Sequence, residues 1–472
     1  MERFARFSAD TLTLAELMAA LSHALDITEG QPRGHCVRVC WIGMHIGHAL
    51  RLDNAQLRSL YYTLLLKDLG CSSNAARICA LYLTDDLAFK RDFKLAGTRS
   101  TQIIGFVLRH TGLHASLSER FRSLFHLFQN GEEIGRELFE TRCQRGAEIA
   151  RKLRFDETVA DGILHLDEHW NGGGKPLGIA GPAISLLARI ALLAQVADVF
   201  FTANGPAAAQ QEVRTRSGSW FDPQLVQAFE SVAQSPEFWQ TLASETIDQA
   251  VFALEPARDS VVLDDDYLDD IAAGFGQVVD SKSPYTAGHS ERVALYTDML
   301  AERMGLTPER RRWLKRAALL HDLGKLGVSN SVLDKPGKLD EAEWRAVQMH
   351  AAYTEQILSR IGAFRELASV AGAHHERLDG KGYPHGLTAE RITLETRIIT
   401  TADIFDAITA ERPYRGAIPI DKTLEMMAES VGTALDPDCF AALRSAHPHR
   451  LVNTAKTGLA ATQPAKWRKY QP

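Results

Sequence analysis

A chain of 472 residues has material for two or three domains with proper cores, and 45% hydrophobic with 24% charged residues is the make-up of an ordinary globular protein. A formal net charge of -6 excludes any general attraction to nucleic acid, which would have to rest on local patches. Six cysteines, at positions 36, 40, 71, 79, 143 and 439, have neither the CxxC spacing nor the density of a disulfide framework, so a reducing cytoplasmic location is expected.

In chain order, the opening MERFARFSADTLTLAELM is amphipathic and charged throughout, unlike a cleavable signal. GHCVRV begins at Gly34 and KDLG at Lys67. Cys36 and Cys40 stand one helical turn apart and read as buried structural thiols rather than a redox pair. NGGGKP, from Asn171 to Pro176, has the backbone freedom of a phosphate loop, but glycine runs are weak signals and a plain loop is the simpler reading. The longest apolar stretch, residues 184–203, is broken by Arg189, Gln195 and Asp198, so it reads as a buried helix; no membrane span is expected.

The run LEPARDSVVLDDDYLDD carries a proline and an acidic cluster and reads as an exposed connection, residues 254–266, between an N-terminal unit 1–253 and a C-terminal unit 267–453. Residues 454–472, poor in large apolar side chains, read as a loose tail holding Lys466 and Lys469. Leu268, Ile271, Ala272, Phe275, Val278 and Val279 recur at helical spacing and bury one stripe. Thr307-Pro308 is a helix start that delivers His321-Asp322 at the far end of its helix. Arg310, Arg311 and Arg312 with Lys315 and Arg316 read as the solvated face of that helix. Asp340 and Glu343 form a capping box ahead of the helix carrying Trp344, Val347 and His350. Phe364, Leu367, Val370, Ala371 and His374 trace another face, and Ile399, Ala402, Asp403 and Asp406 a further one, so the polar residues project into one bundle interior.

Seven of those side chains can bind metal: His289, His321, Asp322, His350, His374, His375 and Asp403. Each piece alone is weak, since an HD dipeptide is mostly noise and a lone histidine on an apolar helix face is usually a core residue. As a set, imidazoles and carboxylates suit iron, manganese, zinc or nickel, and seven ligands exceed one four-coordinate ion. A two-metal centre fits, and structural zinc is disfavoured because no cysteine belongs to the set. Such a centre would lower the pKa of a bridging solvent oxygen and supply hydroxide for hydrolysis.

YTAGHSERV, LLHDLGKLGV, VLDKPGKLDEAEW, MHAAYTEQIL, AHHERLDGKGYPHGL and RIITTADIFDAITAERPYR follow in an order that resembles the HD-GYP domain family, over residues 283–415. The resemblance implies an all-α HD fold and a metal-dependent phosphodiesterase that hydrolyses cyclic di-GMP to pGpG and on to GMP. It places the seven residues on the family's metal ligands, with Asp322 as the bridging carboxylate and catalytic together with Lys325, which reaches the scissile phosphate. Arg412 and Arg415 match basic positions near the substrate phosphates, and Asp379, Gly380, Gly382, Tyr383 and Pro384 form the substrate loop that names the family. Members with a third metal carry a glutamate where this chain has Tyr285, a poor ligand at neutral pH, so two divalent ions, iron or manganese, are expected.

The N-terminal half repeats this order. GHCVRV parallels GHSERV and KDLG parallels HDLG, with the same interval of thirty-three residues from His35 to Asp68 and from His289 to Asp322. DEHWNGGGKPLG tracks HERLDGKGYPHG, ADVF from Ala197 tracks ADIF from Ala402, and FDP from Phe221 tracks LDP from Leu435. The expected architecture is therefore a tandem of HD-type helical bundles. In the first copy His35, Asp68 and Asp198 persist, while Lys67, Arg142, Leu166 and Asp167 fill the other ligand positions. The Arg142 match requires some forty-six extra residues before it. Lysine beside Asp68 repels a dication, and a metal-free regulatory or dimerisation unit results. Alternatives to cyclic di-GMP hydrolysis are 3',3'-cyclic GMP-AMP, another nucleotide phosphate ester, or a scaffold that binds a diguanylate cyclase; a homodimer is compatible with the chain.

Overall fold

Helices account for every extended element among the described residues, and β-structure is confined to three isolated bridges. The computed structural model describes residues 12–96, 100–113, 115–256, 263–411 and 415–446. Arg412, residues 257–262 of the expected connection and the whole tail 454–472 lie outside the described residues.

The first copy opens with α1 (Leu14–Thr28), α2 (His35–Ala49) and α3 (Asn54–Leu66). An insertion follows: α4 (Ala75–Tyr82), α5 (Asp86–Lys94), α6 (Ser100–His110) and the first half of the 36-residue α7 (Leu117–Lys152). The copy continues with α8 (Glu157–Leu164), α9 (Leu186–Asn204), α10 (Pro206–Thr215), α11 (Pro223–Val232), α12 (Pro236–Leu242) and α13 (Ile247–Phe252). The second copy comprises α14 (Asp265–Asp280), α15 (His289–Arg303), α16 (Pro308–Leu320), α17 (Asn330–Leu333), α18 (Glu341–Leu358), α19 (Arg365–Gly372), α20 (Leu394–Thr409), α21 (Ile420–Ala428) and α22 (Pro437–Ser445). Thr307 caps α16 and Asp340 caps α18 in a capping box with Glu343, as their sequences anticipate.

The copies interlock. α1 packs against α18 and the short 3-10 turn Leu323–Gly327 of the second copy, while α14 packs against α7 of the first. Ser72 donates to the carbonyl of Val278 at 2.7 Å and Tyr267 to that of Leu153 at 3.0 Å. One hydrophobic core runs through both halves, and Ile271, Phe275, Val278 and Val279 are all buried in it. Full burial of side chains of this kind contributes roughly 1.5–3 kcal/mol each.

Two sequence expectations change here. The acidic run is not an exposed linker throughout: Asp264 caps α14 and Asp265 and Asp266 fill its first turn, where the helix dipole favours negative charge. The arginine run of α16 is not a solvated face either. Arg312 and Arg316 pair with Asp265, Asp266 and Asp269 of α14, Arg311 pairs with Asp298 and Glu302, and Arg310 pairs with Glu366 and Glu395. Helix α9 is long and apolar enough to cross a membrane by length and composition, but it is mostly buried in the bundle, where it carries Gln195 and Asp198.

Candidate metal centre

In the second copy His289 opens α15, His321 and Asp322 end α16, His350 lies on α18, His374 and His375 follow α19, and Asp403 lies on α20. All seven converge. Three donor groups form, His289/His321/Asp322, His350/His374/His375 and His321/His374/Asp403, and within each the ligand atoms lie within 4.8 Å of one another. Asp322 divides its oxygens between them. Its Oδ2 faces His289 Nε2 at 3.2 Å and His321 Nε2 at 3.3 Å, and its Oδ1 faces His350 Nε2 at 3.5 Å and His374 Nε2 at 3.7 Å.

The imidazoles are aimed by their other nitrogens. His321 Nδ1 donates to the Ala318 carbonyl, His350 Nδ1 to that of Val347 and His374 Nδ1 to that of Ala371, each three residues back on the same chain. His289 Nδ1 donates to Asp406 Oδ2 at 2.7 Å, and Arg292 Nε holds the other oxygen of Asp406 at 2.6 Å. This arrangement fixes the orientation of each of these rings and turns its Nε2 towards the centre. Asp406 positions His289 and was placed by the sequence reading on the same helix face as Asp403 without a role; its one-turn spacing from Asp403 was the available signal.

Among the described residues the centre holds buried polar atoms that have no hydrogen-bond partner: His289 Nε2, His321 Nε2 and Asp322 Oδ1. Five imidazoles and two carboxylates are the donors that divalent ions such as iron and manganese accept, so the residues fit a metal centre. Burial alone would lower the His321 pKa, yet Asp322 and Asp403 raise it to about 9, and with Asp406 they also raise that of His289. Burial lowers His350 to about 4 and, aided by His350, His375 to about 3. One side of the centre is thus neutral and open for coordination, and the other holds protons that a metal has to displace.

Lys325 Nζ lies 2.5 Å from Asp322 Oδ2, at the mouth of the centre. Tyr383 stacks against His375 with ring centroids 4.8 Å apart and also meets Trp344. A Cβ at Gly382 would run into the backbone of His375 to Arg377, so only glycine lets the loop close against the ligand segment. Asp379 is turned away to Arg377 and the Lys381 amide, and buried Glu376 ties the loop by accepting from the amides of His385 and Leu387. Gly380 takes a left-handed φ of 73°, and Pro384 completes the loop. The Arg415 guanidinium is bonded to the carbonyls of Ala407, Ile408 and Gly416, closing the end of α20. Tyr285 is half-buried before α15, outside the three donor groups.

The first copy repeats this geometry with other chemistry. A Cβ at Gly70 would strike the Arg142 carbonyl and Gly146 amide, just as one at Gly324 would strike those of His350 and Thr354, so Arg142 is the counterpart of His350. Asp198 holds His35 Nδ1 and Arg38 in the way that Asp406 holds His289 and Arg292. This corrects the sequence match: Asp198 corresponds to Asp406, and the counterpart of Asp403 is Gln195, three residues earlier. The Lys67 ammonium stands among those counterparts, bonded to His35 Nε2 at 3.1 Å, to Gln195 Oε1 at 2.8 Å and to Asp68. The Arg142 guanidinium pairs with Asp167, the counterpart of His375, and Leu166 replaces His374. A further donor group, Glu29/Asp68/Cys71, is met by the cations Lys94, Lys90 and Lys67. Buried within it, the Cys71 thiol is pushed well above its ordinary pKa.

An HD domain model matches residues 122–225 and 275–439, more than half of the chain. A curated relative from Vibrio cholerae serotype O1, the 3'3'-cGAMP-specific phosphodiesterase 3, is 58% identical over 93% of this chain and 95% of its own length. This chain belongs to the HD-GYP family of cyclic dinucleotide phosphodiesterases. The HD-GYP likeness extends to structure: the crystal structure of a cyclic GMP-AMP-specific phosphodiesterase of V. cholerae, V-cGAP3, is 53% identical, covers 92% of this chain and 97% of that one, and has a TM-score of 0.64. Another HD-GYP relative, the cyclic di-GMP phosphodiesterase response regulator RpfG of Xanthomonas campestris pv. campestris, is 38% identical but covers only 36% of this chain and 45% of its own.

Proposed function

We propose that this chain is a metal-dependent phosphodiesterase that opens 3'3'-cyclic GMP-AMP to a linear dinucleotide. The observation that carries this reading is the 58% identity to an enzyme named for that substrate, which runs through both copies. Relatives named for cyclic di-GMP, the substrate expected from the motifs, match about a third of the chain, which supports the reaction class more than the choice of base.

Five imidazoles and two aspartates would hold two divalent ions, iron or manganese, which supply positive charge and a water of lowered pKa at the scissile phosphate. Asp322 presents Oδ2 to His289 and His321 and Oδ1 to His350 and His374, and would hold both ions. Lys325 neutralises charge that develops on the phosphoryl oxygens, and Tyr383 offers an aromatic face to base or sugar. Asp406 keeps His289 oriented. The first copy, with ammonium and guanidinium groups in the place of ligands, serves as a metal-free regulatory unit.

The test is chromatographic measurement of product from 3'3'-cyclic GMP-AMP and from cyclic di-GMP, using protein purified without oxygen and supplied with Mn(II) or Fe(II). The expected kcat/KM favours cyclic GMP-AMP by about tenfold or more, a difference of about 1.4 kcal/mol in transition-state binding, and activity disappears in His321→Ala. Equal or faster turnover of cyclic di-GMP would overturn the substrate assignment.

A further inference from the structure

The insertion in the first copy has no counterpart in the second, and among the described residues it carries the most exposed large apolar side chains. Helix α7 turns one face inward, burying Leu127 and Ile134 against Leu81 of α4. Its other face presents Leu117, Phe121, Phe125 and Phe128, which are 84%, 72%, 55% and 53% exposed. Spacings of four, four and three residues put these side chains on a single stripe. With roughly 150–250 Å² for each full aromatic side chain, the stripe offers about 500 Å² of apolar surface. That matches the apolar part of one partner's share of a standard interface, about 800 Å² of which roughly two-thirds is apolar.

We propose that this stripe packs along residues 127–138 of the same helix in a second copy, the two α7 helices running antiparallel about a two-fold axis that passes beside residues 127 and 128. The charges on its flank are self-complementary in that arrangement. Arg122 and Glu133 are exposed on the same side of the stripe, about three turns apart, and no ion pair with another described residue engages either. An antiparallel two-fold sets Arg122 of each copy opposite Glu133 of the other, twice over, whereas a parallel pair would leave these flanks on opposite sides of the seam.

The same register brings Phe121 of one copy over Gly131 and Gly135 of the other. Among the described residues a Cβ at either glycine would meet nothing within 4 Å, so no contact there requires their smallness, although each costs about 1 kcal/mol in a helix interior. A ring laid across them from outside accounts for both.

Sedimentation velocity of the full chain tests this. Wild type is expected to be mainly dimeric at about 10 μM, and Phe121→Asp/Phe125→Asp monomeric there with an unchanged helical circular dichroism spectrum. Arg122→Glu should raise the dimer dissociation constant about tenfold, and adding Glu133→Arg should restore it. A wild type that stays monomeric at about 50 μM overturns the proposal, as does a Phe121→Asp/Phe125→Asp variant that remains dimeric. A monomer that instead cosediments with phosphatidylglycerol vesicles would assign the stripe to a lipid surface and overturn it equally. Failure of the charge reversal to restore pairing overturns the antiparallel register.

Discussion

Asp406 touches no predicted ligand atom that faces the centre, yet it decides where one of them points. It accepts the Nδ1 proton of His289 at 2.7 Å and is pinned by Arg292 at 2.6 Å, so the His289 Nε2 lone pair is aimed at Asp322 and Asp403 before any metal arrives. Asn at this position keeps the shape but loses the charge that stabilises the donating imidazole. Loss of such an outer partner typically costs 10–100-fold in metal affinity, so Asp406→Asn is expected to bind Mn(II) about 10–100-fold more weakly with its helical spectrum intact. Isothermal titration with the metal checks this, and unchanged affinity would mean that the backbone alone orients His289. The seven donors themselves were legible in the sequence because coordination demands specific atoms, and motifs such as HDLGK and AHHE keep those atoms adjacent. Asp406 and its twin Asp198 were not, because a carboxylate one turn from another carboxylate has the same face and the same composition. That ambiguity also produced the three-residue slip that set Asp198 against Asp403 rather than Gln195 against it.

At the scale of elements, the two copies solve one problem in opposite ways. Helices α15, α16, α18 and α20 bring imidazoles and carboxylates into a dry interior that a dication can neutralise, whereas in the first copy Arg38 of α2, Arg142 of α7 and Lys67 after α3 supply cations from the chain itself. Lys67 and Asp68 are both almost fully buried, and the Lys67 ammonium and its neighbours hold the Asp68 carboxyl well below its ordinary range despite the opposing effect of burial. Removing one member of a buried ion pair strands the other, at a cost of about 3–5 kcal/mol. Lys67→Met should therefore lower unfolding free energy by about that amount, read from the urea midpoint. Local signals placed the elements well: Thr307, Asp340 and the stripe of α14 announced their helices through caps and periodicity. Partnership between distant elements left no such trace. Arg312 and Arg316 look solvated in one dimension because Asp265, Asp266 and Asp269, which neutralise them, belong to another helix.

For the whole molecule, the insertion and the catalytic copy meet at one buried carboxylate. Asp86, at the start of α5, accepts from Ser329 Oγ and the Asn330 amide, both at 2.9 Å, and from Lys282 Nζ at 3.3 Å. Ser329 and Asn330 follow directly on the turn that carries Lys325, so the first copy braces the loop at the mouth of the metal centre. Burial would raise the Asp86 pKa, but Lys282, Lys90 and these hydrogen bonds bring it down to about 2. An unfolded aspartate titrates near 3.9, and a folded value of about 2 corresponds to about 2–3 kcal/mol of stability. Because the folded pKa is depressed, this contribution is complete above about pH 4 and is lost as pH falls towards about 2. Burial lowers the pKa of Lys282, so the cost of desolvating its ammonium offsets part of the gain. Asp86→Asn should accordingly be less stable than wild type by about 2 kcal/mol at pH 7, in chemical denaturation monitored by circular dichroism, with a gap that narrows as pH is lowered through 4. A gap that stays constant down to the acid limit of the folded protein would show that the Asp86 hydrogen bonds, not its charge, join the two copies.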